Sequence, residues 1–202
     1  MAKPKIPLVV ATTNPGKARE IRAALSGLPY QVLTLADIGV ASAYPERGAT
    51  FEANARAKSA FYSRKSGHLT LADDSGLDVE ALRGGPGVRS ARFSGRGATD
   101  ARNRAKLLRV LEGVPPERRG ARFVCAMALA KDGRVLKVVR GQVRGRIIDA
   151  PRGAHGFGYD PLFYYRPWRR TFAEIPLRRK NSISHRGRAI ARMAAFLAAQ
   201  LG

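Results

Sequence analysis

The sequence predicts an α/β domain built on a mixed β-sheet, and three observations carry that expectation. Stretches with helical spacing of apolar residues alternate with short apolar strands. One long β pairing is marked by Asp132-Gly133, a dipeptide favoured in tight hairpins. The 202 residues, 45% of them apolar, suffice for one large domain or two small lobes to bury a core without staples. No internal repeat or disordered linker interrupts residues 1–202. They read as a single domain, with a second lobe able to grow from the hairpin.

Ile6 to Ala11 is a buried strand, followed by the loop Thr12-Thr13-Asn14-Pro15-Gly16. From Lys17 a helix carries Ile21, Ala24, Leu25 and Leu28 on one face and is closed by Gly27 or Pro29. Tyr30 to Leu35 is a second strand, and Ala41 to Gly48, with Pro45, is an ordered loop. The next helix spans Thr50 to Ser66. Thr50 is its N-cap, Ala53, Ala57, Ala60 and Phe61 form its inner face, and Gly67 ends it. His68 to Ala72 is a short apolar strand, with Asp73-Asp74-Ser75-Gly76 as a turn at its end. Gly84-Gly85-Pro86-Gly87 is a tight turn. Thr99 starts a helix to Leu111, ended by Gly113 and Pro115. Ala121 to Ala130 and Val135 to Ile148 are the hairpin strands. Gly153 to Asp160 is a loop and Leu162 to Tyr165 a short strand. Two helical pieces finish the chain, Ser184 capping the last, whose apolar side includes Ile190, Met193, Leu197 and Leu201.

Lys and Arg number 37 against 15 Asp and Glu, a net charge of +22, which raises nucleic acid as a partner. The 28 arginines are spread along the whole chain, however, and no zinc-finger, RNA-recognition or basic-zipper signature accompanies them. A surface that welcomes small polyanions is the more economical reading, and nucleic-acid binding is not expected. Cys125, the sole cysteine, excludes an internal disulfide and a Cys-based zinc site. Within Phe123 to Leu129 it reads as a buried structural thiol. The first apolar run is too short for a signal peptide, and no run reaches the length of a membrane helix. A reducing cytoplasm is the expected compartment.

Four segments look chemical. Four of the 15 carboxylates, Asp73, Asp74, Asp78 and Glu80, fall within eight residues after an apolar strand. That placement suits a divalent metal at the mouth of an α/β sheet, or a solvated acidic turn; residue types alone leave both open. Strand, Asn14-Pro15-Gly16-Lys17, then helix is the layout of a phosphate-binding turn, with helix N–H groups and a lysine to hand. It is not a P-loop, which needs Gly at Ala11 and Ser or Thr at Ala18. Gly156-Phe157-Gly158-Tyr159-Asp160-Pro161 suits stacking of a planar base, or is a packed turn. His185 and Arg186, beside a helix start in the donor-rich stretch from Arg178, suit reading a base edge, or are surface decoration. His68 and His155 have no metal-ligand partner at useful spacing and read as structural.

Together these segments resemble the inosine/xanthosine triphosphate pyrophosphatase (Ham1-like) family. The resemblance rests on Thr12 to Lys17, Thr50-Phe51-Glu52-Ala53-Asn54-Ala55 with Lys58, and Ala72 to Leu77. It continues through Ser90 to Gly95, Gly156 to Pro161, and Lys180 with Ser184-His185-Arg186-Gly187. Six motifs in order, from residue 8 to about 190, make the match specific. The chain departs from the pattern at Thr13, where the family often has a smaller residue.

The resemblance implies an elongated mixed sheet with flanking helices, two lobes around a central active-site cleft, and a homodimer. It implies Mg²⁺-dependent cleavage of ITP, dITP or XTP between the α and β phosphates, which removes deaminated purines from the nucleotide pool. Residue by residue, Glu52 and Asp74 would hold the metal, and Asp74 would also act as the base on water. Thr12, Thr13, Asn14, Pro15, Gly16 and Lys17 would hold phosphate, and Ser75 would contact substrate. Phe157, Gly158, Tyr159, Asp160, Lys180, His185 and Arg186 would form the base pocket, with Asn54, Lys58 and Asp73 as supporting residues. A 6-carbonyl base accepts from Arg186 and His185, whereas the amino group of adenine opposes them.

Overall fold

The computed structural model describes residues 5–41 and 44–200. The strands are β1 (Ile6–Val10), β2 (Tyr30–Thr34), β3 (Leu69–Val79), β4 (Gly120–Lys131), β5 (Arg134–Ile147), β6 (Phe163–Tyr165) and β7 (Arg170–Thr171). The helices are α1 (Pro15–Ala24), α2 (Phe51–Ser66), α3 (Asp100–Val110), α4 (Leu177–Ile183) and α5 (His185–Ala199). The strands form one sheet in the order β2-β1-β3-β4-β5-β6-β7. β1 pairs in parallel with β2 and β3, and β6 pairs antiparallel with β5 and β7, so the sheet is mixed as expected. No helix among the described residues is long and apolar enough to cross a membrane.

Local signals set most of the element ends. Asn14 caps α1, its side-chain oxygen accepting the Lys17 N–H, with Pro15 in the first turn, so the helix begins two residues earlier than expected. It ends at Ala24, and Leu25 packs into the core from its C-cap. Thr50 caps α2 and Gly67 closes it in the left-handed conformation. Thr99 caps α3. Asp132 and Gly133 both take positive φ, 50° and 81°, the conformation of the type I′ turn that joins β4 to β5.

Two expectations are corrected. Asp73-Asp74-Ser75-Gly76 is not a turn: β3 runs unbroken from Leu69 to Val79. β1 pairs with β3 only at Leu69 to Leu71, so β4, the neighbour of β3 on its other side, is the strand left to hold these turn-prone residues extended, which is tertiary context overriding propensity. The inner face of α2 is rotated from the expected one. Ala53 and Ala57 are exposed, and Asn54, Ala55, Ser59, Tyr62 and Ser63 are buried. The buried hydroxyls of Ser59 and Ser63 donate to the carbonyls of Arg56 and Ala60, which satisfies them inside the helix's own turn. Ser184, expected to cap the last helix, stands extended between the end of α4 and the first residue of α5. Leu201, expected on the apolar side of α5, and residues 42–43 of the Ala41–Gly48 loop lie outside the described residues.

The chain divides into two compact units, one of Met1–Asp74, Cys125–Gly141 and Gly187–Gly202, the other of Ser75–Val124 and Gln142–Arg186. The first unit has a core of Leu8, Val10, Ile21, Leu71, Met127, Ile190, Met193 and Leu197, with Cys125 fully buried in it as a structural thiol. Small residues (Ala55, Ala126, Ala128) form a separate cluster within this unit. The core of the second unit is Leu77, Leu107, Leu111, Val143 and Leu162 around an aromatic group, Phe123, Phe163 and Phe172.

Candidate active site

In the first unit the loop after β1 leads into the N-terminus of α1. Thr12 is buried and its hydroxyl accepts the Asn14 N–H, whereas Thr13 and Pro15 are exposed. The Asn14 side chain is engaged in capping, so what the loop offers an anion is backbone N–H groups and the positive helix end. Lys17 is not a solvated cation. Its ammonium lies 2.9 Å from the Asp73 carboxylate, and the side chain is only 15% exposed. A groove of about 1120 Å³ opens beside Thr12 to Pro15, lined also by Ala18, Leu35 and Val40.

The extended course of β3 gives Asp73 and Asp74 different partners, as alternation along a strand requires. Asp73 meets Lys17. Asp74 accepts a 2.8 Å hydrogen bond from the Asn54 side-chain amide. Asn54 is itself held by the loop before α2, its oxygen accepting the Gly48 N–H at 2.6 Å. Lys58, one turn along α2, donates to Glu46 at 2.7 Å and to the Asp73 carbonyl at 3.2 Å. Burial disfavours its charge, but Asp73, Glu46 and Asp74 outweigh that and leave its pKa above the ordinary lysine value. Burial pushes Asp74 the other way for an acid, up to about 6. The Asn54 bond and Lys17 partly offset this, while Glu46 and Asp73 add to it. A buried carboxyl poised near neutrality with two lysines close by has the properties that proton transfer beside a polyanion needs.

Glu52, expected to hold metal with Asp74, is half-exposed and forms an i,i+4 ion pair with Arg56 at 2.9 Å. Besides the adjacent Asp73, the carboxylate whose charge reaches Asp74 is Glu46, in the loop before α2. Glu46 escaped sequence reading because it stands outside the acidic stretch, in a segment legible only as a loop. Among the described residues no group of three or more His, Cys, Asp or Glu could form a metal cage. Two carboxylates, with the remaining positions left to water and phosphate oxygens, match how Mg²⁺ is bound in nucleotide enzymes. The donor set therefore fits Mg²⁺.

The second unit collects the other group. Asp160 is buried and its Oδ2 accepts both the Phe157 N–H and the Lys180 ammonium, each at 3.0 Å. Burial raises the Asp160 pKa, with Lys180 the chief opposing influence. Gly156 is required here: its φ is +78°, and a Cβ would stand 2.1 Å from the Asp160 carboxylate. Lys180 and Arg186 lie over the Phe157 ring at 5.2 and 5.3 Å. Arg186 is buried and its Nη2 donates to the Ser75 hydroxyl at 3.1 Å. His185 stacks on Phe123, rings 4.8 Å apart. Tyr159 packs in the core and donates to the Ser90 carbonyl. Burial, reinforced by Asp100, keeps its phenol protonated, so it supports the loop from within. Phe157, Lys180, Arg186 and Ser75 are thus brought together, an aromatic face ringed by donors.

Lys180 and Asp160 form a pair with both side chains about 5% exposed or less. Lys180→Met leaves the carboxyl buried without its cation, and the expected loss is on the order of 3 kcal/mol. It would be read as a lower urea midpoint, with Lys180→Met/Asp160→Leu recovering much of it.

The Ham1 family model matches residues 8–196. A dITP/XTP pyrophosphatase of Geobacter sulfurreducens is 52% identical over 184 residues, 91% of this chain and 92% of that protein. One of Bacillus licheniformis is 46% identical, covering 94% and 97%. Among solved structures, a HAM1 protein from Coxiella burnetii aligns with a TM-score of 0.88 at 38% identity, over 96% of this chain and 98% of that one. The Staphylococcus aureus Ham1 protein aligns with a TM-score of 0.86 at 36% identity, over 96% and 99%.

Proposed function

Because this chain belongs to the Ham1 family, we propose that it hydrolyses non-standard purine nucleoside triphosphates, ITP, dITP and XTP, to the monophosphate and pyrophosphate. The observation that carries the reading is Asp74: a buried carboxyl with a pKa near 6, bonded to Asn54 and accompanied by Lys17, Lys58 and Glu46. Names of the relatives supply the substrate class, and the site supplies chemistry that suits it.

The phosphates fall to the first group. Helix α1 offers the positive end of its dipole, and Lys17 and Lys58 spread positive charge around the carboxylates. Asp74 and Glu46 would hold Mg²⁺, which when bound neutralises phosphate charge and polarises the scissile anhydride. Asp74 in its ionised form accepts the proton of the attacking water. The base falls to the second group. Phe157 stacks on it, Lys180 and Arg186 border it, and Arg186 with His185 donates to a 6-carbonyl. Adenine would face those donors with a donor of its own, leaving both unsatisfied. Removal of deaminated purines from the nucleotide pool, action as a homodimer and a cytoplasmic setting complete the reading.

Since Asp74 must be ionised, kcat/KM for ITP is expected to fall below pH 6. Asn54→Ala removes a bond to the ionised form and should move this acid limb to higher pH. Extra Mg²⁺, competing with the proton, should move it lower. A limb that ignores both changes would assign the ionisation to another group.

A further inference from the structure

The geometry points to Asp100 and Arg104 of α3 as positioning residues that clamp the Phe157 loop at Gly158; this rests on the base-binding role proposed for that loop. The Asp100 carboxylate accepts the Gly158 N–H at 2.7 Å. The Arg104 guanidinium donates to the Gly158 carbonyl at 2.9 Å. The two residues stand four apart, on one face of the helix, so they reach the two sides of the same residue. Within the loop, the Phe157 N–H goes to Asp160 Oδ2 and its carbonyl accepts the Asp160 N–H at 3.2 Å. All four backbone polar groups of Phe157 and Gly158 are therefore paired, half of them by α3.

Gly158 has no side chain to anchor it, and residues 151–156 before it are exposed. Helix α3, by contrast, is fixed. Leu107 is buried in the unit's core, and Asn103 bonds the Ser94 N–H and the Ala91 carbonyl at 2.7 and 3.0 Å. The clamp transfers that rigidity to the residue next to Phe157 and so sets the plane of the ring. Charge-assisted bonds to backbone N–H and C=O groups suit this task better than packing does at an exposed loop.

Kinetics with ITP and Mg²⁺ tests the clamp. Asp100→Ala and Arg104→Ala should each raise KM for ITP on the order of 10-fold with a smaller change in kcat. Asp100→Asn, which keeps an acceptor, should restore most of the loss. In a Phe157→Ala background Asp100→Ala should change KM by less than about 2-fold, since nothing remains to position. Equal losses with and without the ring would overturn the role. Hydrogen exchange of peptide 153–162 gives a readout independent of activity. Exchange should accelerate about 10-fold in both alanine variants while β4 stays protected, and unchanged exchange would overturn the clamp. Wild-type protein inactive on ITP would instead sink the nucleotide reading, with exchange still deciding the clamp.

Discussion

Asp74→Asn is expected to lower pyrophosphate release from ITP on the order of 10³-fold while raising the melting temperature of the metal-free protein. The first effect follows from the double duty proposed for Asp74. Asparagine neither accepts the water proton nor offers a charged ligand, and general-base catalysis alone is worth roughly 10²–10⁴. The second follows from burial. The Asp74 carboxyl, at about 6, holds its proton more tightly in the fold than an unfolded aspartate does. Stability from this site is fully present below the unfolded carboxylate value and is lost as pH rises through about 6. At pH 8 the ionised form costs about 3 kcal/mol. Asparagine does not ionise, so the variant should melt several degrees higher at pH 8 and show no such gain at pH 4. A variant both inactive and less stable at pH 8 would mean that the carboxylate is a net structural asset, contrary to the burial argument.

Arg186→Ala should collapse discrimination between ITP and ATP. The guanidinium is buried, tied to Ser75 and stacked near Phe157, so it is already desolvated and oriented before any base arrives. Desolvated donors impose the largest penalty on a mismatched base, up to roughly 10⁴-fold in sites built this way. Removing Arg186 should cost ITP on the order of 10²-fold in kcat/KM and leave ATP nearly unchanged. Arg186→Lys keeps the charge but not the planar fork and should fall between. Equal losses on ITP and ATP would assign Arg186 to the phosphates or to folding.

Where one local signal sufficed, the fold was legible in the sequence. Thr50 and Gly67 bound α2, Thr99 opens α3, and Asp132-Gly133 turns the hairpin, because each residue acts on its own backbone. Legibility failed where sheet partners decide. Asp73 to Gly76 carries every mark of a turn, yet it lies extended within β3 beside β4. That correction matters to the candidate site, because extension is what gives Asp73 to Lys17 and Asp74 to Asn54. The inner face of α2 was misread because its buried residues are small and polar, so counting apolar positions selected the wrong side. Of the candidate-site residues, Asp74, Lys17, Asn54, Lys58, Phe157, Lys180 and Arg186 stand in legible motifs. Glu46 was not, since one glutamate in a loop with Pro45 and Gly48 carries no pattern. Asp100 and Arg104 were hidden for a different reason: they act on the backbone of a residue 58 and 54 positions away.

The most direct measurement is the identity of the first phosphorus product when the wild-type protein meets ITP, XTP and ATP in turn with Mg²⁺. Pyrophosphate formed in equal amount with the monophosphate from ITP and XTP, and little turnover of ATP, is the predicted result. Orthophosphate as the first product, or ATP cleaved as readily as ITP, would contradict the account.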